Sequence, residues 1–554
     1  MAGIVSEVHF TKLSNLKYLE MSWTYLTFNV SSNCIPPFQL QYMKMISCKM
    51  GPKFPAWLQT QRSLQSLYIS NSGIVDAAPS WLWKWASQIP HVLHLSDNQI
   101  SGDLSEVLLN NTQVDLSSNC FTGQLPHLSQ NVIELRIANN PFPRRISSFL
   151  CRKVNGGSKL EVRDLSNNSL SGKLSNCLMY WPSLTHLNLG DNNLSGKIPN
   201  SIGSLFALKA LHLYTNSFVR DIPVSLQNCA FLGLVDLAEN KFSGNIPSWI
   251  GEMSTLMALS LRSNKFIGNI PPQICQLSSL IVLDLADNTL SGAIPKCINN
   301  FSTMARMDTA VDDNFKVLFD YNYLKYEDLS LVVKGRKSEY DSILGLVRTI
   351  DFSSNNLSGS IPTEISCLSG LRFLNFSQNH LIGRIPEKFG SMETLESLDL
   401  SRNHLSGAIP ESMTNLSFLD HLDLSYNNLS GTTPSSSQLQ SFDALSFIGN
   451  DELCGAPLTK NCTKKEDFQG VNHIEESRED FELPWFYIGM ATGFILSFWG
   501  VCGALLFKRT WRHAYFRFLD DTRDKLYVAT MLKMNWLCNH LRGHHLVSEM
   551  RHLL

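Results

Sequence analysis

The feature that most constrains this chain is a short pattern, L-x-L-x-x-N-x-L, that returns at nearly constant spacing. Its Asn recurs in steps of 21, 21 and 28 residues, then five of 24, one of 67 and three of 24. These Asn residues are Asn98, Asn119, Asn140, Asn168, Asn192, Asn216, Asn240, Asn264, Asn288, Asn355, Asn379, Asn403 and Asn427. Three weaker upstream copies place Thr24, Cys48 and Ser72 at the same point, which makes sixteen repeats. One repeat cannot bury its own apolar face, so the pattern predicts a stack of coils.

The residues within one repeat predict how a coil is built. The alternation around two leucines has period two, as a short strand requires. In the repeat segment that begins at Leu208, the side chains predicted to point inward are Leu208, Leu211, Leu213, Phe218 and Ile222. Asn216 is polar but recurrent, so we expect it at a buried turn, where its amide satisfies backbone groups of the coil. Stacked strands then form one continuous parallel sheet.

Composition and motifs exclude several classes of protein. The formal charge is −2 and 17% of residues are charged, so there is no polybasic signature of nucleic-acid binding. No C-x-x-C pair, zinc-spaced cluster, G-x-S-x-G, H-E-x-x-H, P-loop or kinase signature is present. The sequence predicts a protein that is not an enzyme and that needs no cofactor or metal.

Most repeats continue with L-S-G-x-I-P, as in Leu194–Pro199 and Leu405–Pro410. This motif resembles the plant-specific class of leucine-rich repeat, in which it adds a second small sheet. The resemblance implies an α/β repeat fold, a leucine-rich-repeat solenoid with a curved parallel sheet. The predicted organisation is about twelve repeats over 1–298, an island insertion over 299–344, four repeats over 345–434, a cap over 435–465, an acidic stem over 466–484, a transmembrane helix over 485–507 and a cytoplasmic tail over 508–554.

The long step between Asn288 and Asn355 contains the island, which is rich in Asp, Tyr and Lys. An insertion of this length is either a functional segment or a tolerated surface loop. Plant leucine-rich-repeat receptor-like proteins carry a similar island before four final repeats, with a Lys-Gly-Arg run like Lys334–Arg336. The resemblance favours a functional island.

Repeat phase also predicts disulfide pairs. Cys151 and Cys275 lie eleven residues after a repeat Asn, and Cys177 and Cys297 lie nine after the next one. Equivalent positions on adjacent coils are about 5 Å apart, which a disulfide tolerates. We therefore expect Cys151–Cys177 and Cys275–Cys297, unless these are four small buried side chains, and a third bond between Cys454 and Cys462 in the cap. Five others are predicted to be core or unpaired residues: Cys34, Cys48, Cys120, Cys229 and Cys367.

Residues 485–507 are 23 residues without a charge, followed by Lys508 and Arg509. This length and flanking charge predict a membrane span with the tail in the cytoplasm. Within it, a small-residue stripe predicted to favour helix association comprises Gly489, Gly493 and Ser497. All ten glycosylation sequons precede the span, which favours an extracellular N-terminal part: Asn29, Asn110, Asn167, Asn193, Asn300, Asn356, Asn375, Asn415, Asn428 and Asn461.

Taken together, the chain resembles plant leucine-rich-repeat receptor-like proteins of the tomato leaf-mould and apple-scab resistance type. The family implies a plasma-membrane receptor that binds a peptide or protein ligand and signals through adaptor and co-receptor receptor kinases. Signal peptide, N-terminal cap and earliest repeats of that family are not recognised here, which predicts an N-terminally truncated copy. An inhibitor of microbial wall-degrading enzymes and a nonfunctional truncated copy remain alternatives.

Repeat phase places candidate contacts on the outward face of the concave sheet and on the island. Those predicted for the ligand are Asn188, Asp191, His212, Tyr214, Asp236, Glu239, Arg262, Tyr321, Tyr323, Lys334 and Arg336. Those predicted for a co-receptor are Phe373, Arg402, His421 and Tyr426. Ser260, Asp284 and Asp287 are also expected on this exposed face. Most such positions are expected to be merely solvated, since few interface residues carry most of the binding energy.

Overall fold

The computed structural model describes residues 2–143, 145–307, 329–340 and 346–462. Sixteen parallel strands, one for each predicted repeat, form a single long sheet in chain order. Its strands are Tyr18–Glu20, Tyr42–Lys44, Ser66–Tyr68, Val92–His94, Gln113–Asp115, Glu134–Arg136, Val162–Asp164, His186–Asn188, Ala210–His212, Leu234–Asp236, Ala258–Ser260, Val282–Asp284, Thr349–Asp351, Phe373–Asn375, Ser397–Asp399 and His421–Asp423. Twelve of these strands precede the island and four follow it.

Eleven strands form a second sheet, and most of them contain the Ser-Gly pair of the L-S-G-x-I-P motif, as the family resemblance implies. Its strands are Ser171–Lys173, Asn193–Gly196, Ser217–Arg220, Lys241–Asn245, Lys265–Asn269, Thr289–Gly292, Asn356–Ser360, His380–Gly383, His404–Gly407, Asn428–Thr432 and Glu452–Cys454. Gly196 of one motif has φ +83, a left-handed conformation that glycine adopts without a steric cost. The solenoid fold predicted from the repeat pattern is thereby confirmed.

Short helices lie on the side of the coils away from the long sheet. Within the described ranges, three of them are α-helical: Leu82–Ala86, Ser147–Leu150 and Ser437–Gln440. The 3-10 helices are Glu7–Phe10, Ala56–Thr60, Leu178–Tyr180, Asn200–Ser204, Val224–Asn228, Ser248–Glu252, Pro272–Gln276, Lys296–Asn300, Thr363–Cys367, Phe389–Ser391, Glu411–Asn415 and Ala444–Phe447. Four two-stranded sheets complete the described elements: Ala2–Val5 with Tyr25–Phe28, Ser101–Asp103 with Cys120–Thr122, Leu108–Leu109 with His127–Leu128, and Leu329–Val333 with Arg336–Tyr340.

The inward side chains fill one core that continues through the coils. Leu208, Leu211, Leu213 and Phe218 have no exposed surface, and Ile222 is 5% exposed, so the predicted inward set is confirmed. Equivalent phenylalanines of three adjacent repeats stack along the coil axis, with ring centroids 6.0 and 6.4 Å apart between Phe218, Phe242 and Phe266. Each coil therefore buries its apolar face against its neighbours.

The recurrent Asn satisfies backbone groups at the turn of each coil. Asn216 Nδ2 donates to the carbonyls of Leu189, Leu213 and Tyr214 at 2.9–3.2 Å. Its Oδ1 accepts from the Leu194 N–H at 2.9 Å. The residue before it, Thr215, has a left-handed φ of 48°, and the same conformation recurs before most other repeat Asn residues. The turn thus buries backbone groups that the amide keeps hydrogen-bonded.

The structure contains the three predicted disulfides. The Cα atoms are 4.9 Å apart for Cys151–Cys177, 5.8 Å for Cys275–Cys297 and 5.2 Å for Cys454–Cys462. The five other cysteines of the described residues are free, as predicted; Cys48 and Cys229 are buried, whereas Cys120 and Cys367 are exposed. Repeat phase therefore located both pairs that join adjacent coils.

The predicted stem, membrane span and tail lie outside the described residues. The span over 485–507 and its residues Gly489, Gly493 and Ser497 remain sequence predictions. In the part of the chain that the structure describes, no helix is both long enough and apolar enough to cross a membrane.

Candidate functional site

Residues 329–340 of the island form a hairpin that lies on the outward face of the long sheet. Leu329–Val333 pairs antiparallel with Arg336–Tyr340, and Val333 opposite Arg336 leaves a two-residue turn. The turn residues Lys334 and Gly335 have φ values of 52° and 70°, as a turn with two left-handed residues requires. Alternate residues on the first strand, Leu329, Leu331 and Val333, are buried.

The buried face of this hairpin packs on an apolar row of the sheet. The row consists of residues in direct register on adjacent strands, Ala210, Leu234, Ala258 and Val282. Together with Met257, Ile281, Val347 and the hairpin leucines, these residues form a cluster separate from the core inside the coils. This contact was not predicted from the sequence, although four apolar residues at successive outward positions indicate a covered surface.

Two ion pairs near the turn connect the hairpin to the sheet. Lys337 pairs with Glu239. Burial raises the pKa of Glu239, but the hydrogen bond and charge of Lys337, together with Thr215 and Arg262, leave that pKa lowered. At the turn, Lys334 Nζ lies 2.8 Å from Asp420 and 3.8 Å from Glu396, and its hydrogen bond lowers the pKa of Asp420. The hairpin therefore spans from the middle repeats to the final ones.

The outward carboxylates in the middle of the sheet are buried, contrary to the expectation of an exposed ligand surface. Asp236 and Asp284 are 2% and 1% exposed, His212 is 2% exposed and Ser260 has no exposed surface. Asp236 Oδ1 accepts from the Ala238 N–H, and Asp284 Oδ1 from the Ala286 N–H, both at 3.1 Å. The prediction that His212, Asp236, Ser260 and Asp284 are exposed was wrong. N–H groups just after the strands bind both carboxylates, so their burial does not leave these oxygens without hydrogen bonds.

Arg262 connects Asp284 to a second buried carboxylate, that of Asp351. Its Nε lies 2.7 Å from Asp284 Oδ2, and its Nη2 pairs with Asp351. Burial raises the pKa of Asp284 to about 7, despite the neighbouring guanidinium. Arg262 was predicted to contact ligand; in the structure it pairs within the sheet and is only partly exposed.

The other predicted residues of the early sheet face occupy more open positions. Asn188 is half-buried and its Oδ1 accepts from the Gly190 N–H at 3.0 Å. Tyr214 is half-buried beside His212, with ring centroids 6.2 Å apart. Asp191 and Asp287 are exposed. Tyr321 and Tyr323 lie outside the described residues.

A cavity of about 650 Å³ remains between the hairpin and the final repeats. The hairpin contributes Val333, Lys334, Arg336, Ser338 and Tyr340, and the sheet contributes Val347, Arg372, Phe373, Glu396, Asp420 and His421. Arg372 Nη1 lies 3.0 Å from Glu396. Burial raises the pKa of Tyr340. We call this space the hairpin cavity; its volume and mixed lining suit a peptide segment or a small ligand.

The hairpin cavity brings together residues that the sequence placed in two separate sites. Lys334 and Arg336 were predicted for the ligand, and Phe373 and His421 for a co-receptor, yet all four line this one space. The remaining two co-receptor residues, Arg402 and Tyr426, are exposed neighbours on the last repeats, with the guanidinium carbon 4.5 Å from the ring centroid.

The sequons lie within the described residues and are not equally accessible. Asn110 and Asn375 are half-buried, whereas the other eight are exposed. Asn375 stands in the long sheet, where its Oδ1 accepts from the Ser377 N–H at 3.0 Å.

Comparison with known proteins places this architecture in a class. Leucine-rich-repeat family models match residues 386–429 and residues 183–205, 279–301, 346–368 and 370–392. Among solved structures, the ectodomain of the Arabidopsis receptor kinase HAESA in complex with an IDA peptide hormone has a TM-score of 0.61 at 27% identity, covering 84% of this chain and 74% of that one. The plant peptide hormone receptor RGFR1 has a TM-score of 0.55 at 22% identity, over 82% of this chain and 81% of its own, and shares the fold. The fold defines a leucine-rich-repeat protein.

Sequence relatives narrow the class. Receptor-like protein EIX2 of Solanum lycopersicum is 47% identical over 98% of this chain and 54% of its own length. Receptor-like protein EIX1 of the same plant is 46% identical over 95% of this chain and 52% of its own. The chain belongs to the plant leucine-rich-repeat receptor-like proteins, and it spans about half the length of these curated relatives.

Proposed function

We propose that the chain is part of a non-enzymatic cell-surface receptor that binds a peptide or protein segment in the hairpin cavity and signals through partner receptor kinases in plant defence or development. The observation that carries this proposal is the cavity itself, where island and final repeats meet around one space of about 650 Å³.

The lining supports a peptide as the occupant. Phe373, Val347 and Tyr340 offer apolar surface for a side chain, whereas Arg336 and His421 can hydrogen-bond to backbone carbonyls or a carboxylate. The Lys334 pairs with Asp420 and Glu396 are partly exposed, so a ligand can replace them at a modest electrostatic cost. The solved HAESA complexes hold a peptide hormone, in one case together with the co-receptor SERK1.

A partner kinase is proposed to contact the exposed face of the last repeats. Arg402 and Tyr426 form a cation–π pair there, a combination that is frequent in protein interfaces. The predicted span over 485–507 is proposed to anchor the chain in the plasma membrane, and its small-residue stripe to contact a partner helix. The eight exposed sequons are proposed to carry glycans.

The first test is a pull-down of the tagged full chain from plant membranes, with and without glycosidase. We expect a glycosylated band that co-precipitates a receptor kinase, and a weaker kinase signal for Arg402→Ala combined with Tyr426→Ala. Lys241→Ala combined with Lys265→Ala, on exposed positions of the second sheet, is the control. An unglycosylated chain without a kinase would overturn the receptor proposal.

The second test addresses the cavity. Fractionated microbial or plant extracts are screened for activity that increases kinase co-precipitation. Arg372→Ala combined with Phe373→Ala is expected to abolish the increase without changing the basal signal, whereas Phe418→Ala, an exposed phenylalanine outside the cavity, is expected to have no effect. An unchanged response of the cavity variant would place the ligand elsewhere.

A further inference from the structure

A second cavity lies far from the hairpin, where the repeat length is irregular. Regular coils carry a 3-10 helix such as Asn200–Ser204 on the side away from the long sheet. In the two coils with steps of 21 residues, Leu108–Leu109 and His127–Leu128 pair there as short parallel strands instead. A strand occupies less space than a helical turn, so this side of the stack is locally thinner.

The next coil, with a step of 28 residues, folds its extra length back over this thinner region. Its loop begins at the disulfide-bonded Cys151. Arg152 Nη1 donates to the Pro126 carbonyl at 3.3 Å, and Gly156 lies so close to Gln130 that a Cβ would be 2.1 Å from its Oε1. The loop and the short coils thereby enclose a cavity of about 660 Å³, which we call the loop cavity.

The loop cavity has an apolar floor and a basic rim. Leu128, Phe149 and Trp181 form the floor, and Leu108 and Val154 flank it. The rim carries His127, Arg152 and Lys153, and the described lining contains no carboxylate. This volume lies within the range of small-molecule sites, and the surplus of cationic side chains favours an anion.

A buried cation behind the floor adds to the positive electrostatic potential of the loop cavity. Arg163 occupies an inward position, in register with Leu135 and Leu187 on the adjacent strands, and has no exposed surface. Its guanidinium carbon lies 3.9 Å from the Trp181 ring centroid and 5.0 Å from that of Phe149. None of its nitrogens hydrogen-bonds within the described residues. Burial lowers the pKa of Arg163 to about 9, so the group is still charged at neutral pH.

We propose that the loop cavity binds a small amphipathic anion, with an aromatic or alkyl body on the Phe149 and Trp181 floor and one carboxylate, sulfate or sulfonate at Arg152 and Lys153. This site is independent of the hairpin cavity. Arg163 contributes by long-range electrostatics through the two rings, whose centroids lie 5.0 and 3.9 Å from its guanidinium carbon.

Equilibrium dialysis measures the binding of two probes to the full chain in detergent. The probes are anilinonaphthalene sulfonate, which is an anion, and phenylnaphthylamine, which is uncharged. Asn155→Trp, which fills the mouth of the cavity from an exposed lining position, gives the background. We expect about one sulfonate bound per chain above this background, and about tenfold weaker binding for Arg152→Gln combined with Lys153→Gln, from the loss of charged hydrogen bonds. The uncharged probe is expected to be insensitive to this change.

Two further variants keep the test independent of folding defects. Lys153 is exposed, so Lys153→Gln alone should fold normally and weaken sulfonate binding several-fold. Arg163→Leu restores the inward leucine pattern, and we expect it to raise the melting temperature while weakening sulfonate binding about twofold. The control pair Lys241→Gln and Lys265→Gln is expected to leave binding unchanged. Binding that equals the Asn155→Trp background, or that falls equally in the control pair, would overturn the proposal.

Discussion

Two apolar clusters lie on opposite faces of the long sheet. Inside the coils, Leu211 and its equivalents meet neighbours that the repeat supplies every 24 residues. On the outer face, Ala210 and its equivalents meet Leu331 and the rest of the hairpin of residues 329–340, which is not part of the repeat. Adjacent residues of one strand therefore serve different contacts, because successive side chains point to opposite faces. The first cluster is a property of the repeat, whereas the second depends on one long-range contact.

The largest loss of stability is expected from a substitution at the buried turn of a coil. Asn240→Ala removes an amide that bonds to the Leu213, Leu237 and Ala238 carbonyls and to the Phe218 N–H. The orphaned backbone groups are expected to lower the free energy of unfolding by about 3 kcal/mol or more. Calorimetric unfolding measures this, with the exposed Asn200→Ala as the control. A melting temperature equal to that of the control would show that the turns do not need the amide.

A smaller and local effect is expected on the outer face. Leu331→Ala deletes buried apolar contacts of the hairpin, which we expect to cost about 2–3 kcal/mol of local stability. Hydrogen exchange of the hairpin amides should accelerate while the melting temperature of the coils stays nearly constant. Ser330→Ala, on the other face of the same strand, is the control. A fall in coil melting temperature as large as that of Asn240→Ala would mean that the two clusters unfold together.

Burial on the outer face also predicts a pH dependence. The pKa of Asp284 is raised to about 7 in the folded chain, whereas an unfolded Asp titrates near 4. Between about pH 4 and pH 7 the folded state holds this proton and the unfolded state does not, so this group makes stability fall as pH rises. Asp284→Asn is expected to flatten the melting temperature over this range, and an unchanged pH profile would contradict the assignment.

The smallest effect is expected at the turn of the hairpin. Lys334→Ala removes ion pairs to the exposed Asp420 and the partly exposed Glu396, and we expect only a small loss of local stability because solvent screens such pairs. Added salt should reduce the difference from the parent chain. Arg336→Ala, on a basic neighbour in the same hairpin, is the control. Hairpin exchange as fast as in Leu331→Ala would show that the ion pair, rather than the apolar face, holds the hairpin.

The sequence predicted the positions of many residues of the candidate site, but not which of them line the same cavity. Their positions in the repeat placed Phe373 and His421 on the outward face of the final repeats. The Lys-Gly-Arg motif of the island identified Lys334 and Arg336 as candidate ligand contacts. That all four line one cavity did not follow, because neither the path nor the pairing of the hairpin is encoded in repeat phase. Arg372, Glu396 and Tyr340 were missed for the same reason. The burial of Asp236 and Asp284 was missed because repeat phase gives the direction of a side chain but not what covers it.

Repeat spacing is enough to specify the coil. It predicts the sixteen strands, the inward leucines, the buried Asn turn and the two inter-coil disulfides, because each contact joins residues about one repeat apart. Contacts between distant segments specify which outward residues are covered, where the hairpin turn meets Asp420, and how two short coils and one long coil enclose a cavity. These contacts join segments without a common period, so they depend on shape and charge across space rather than on local pattern.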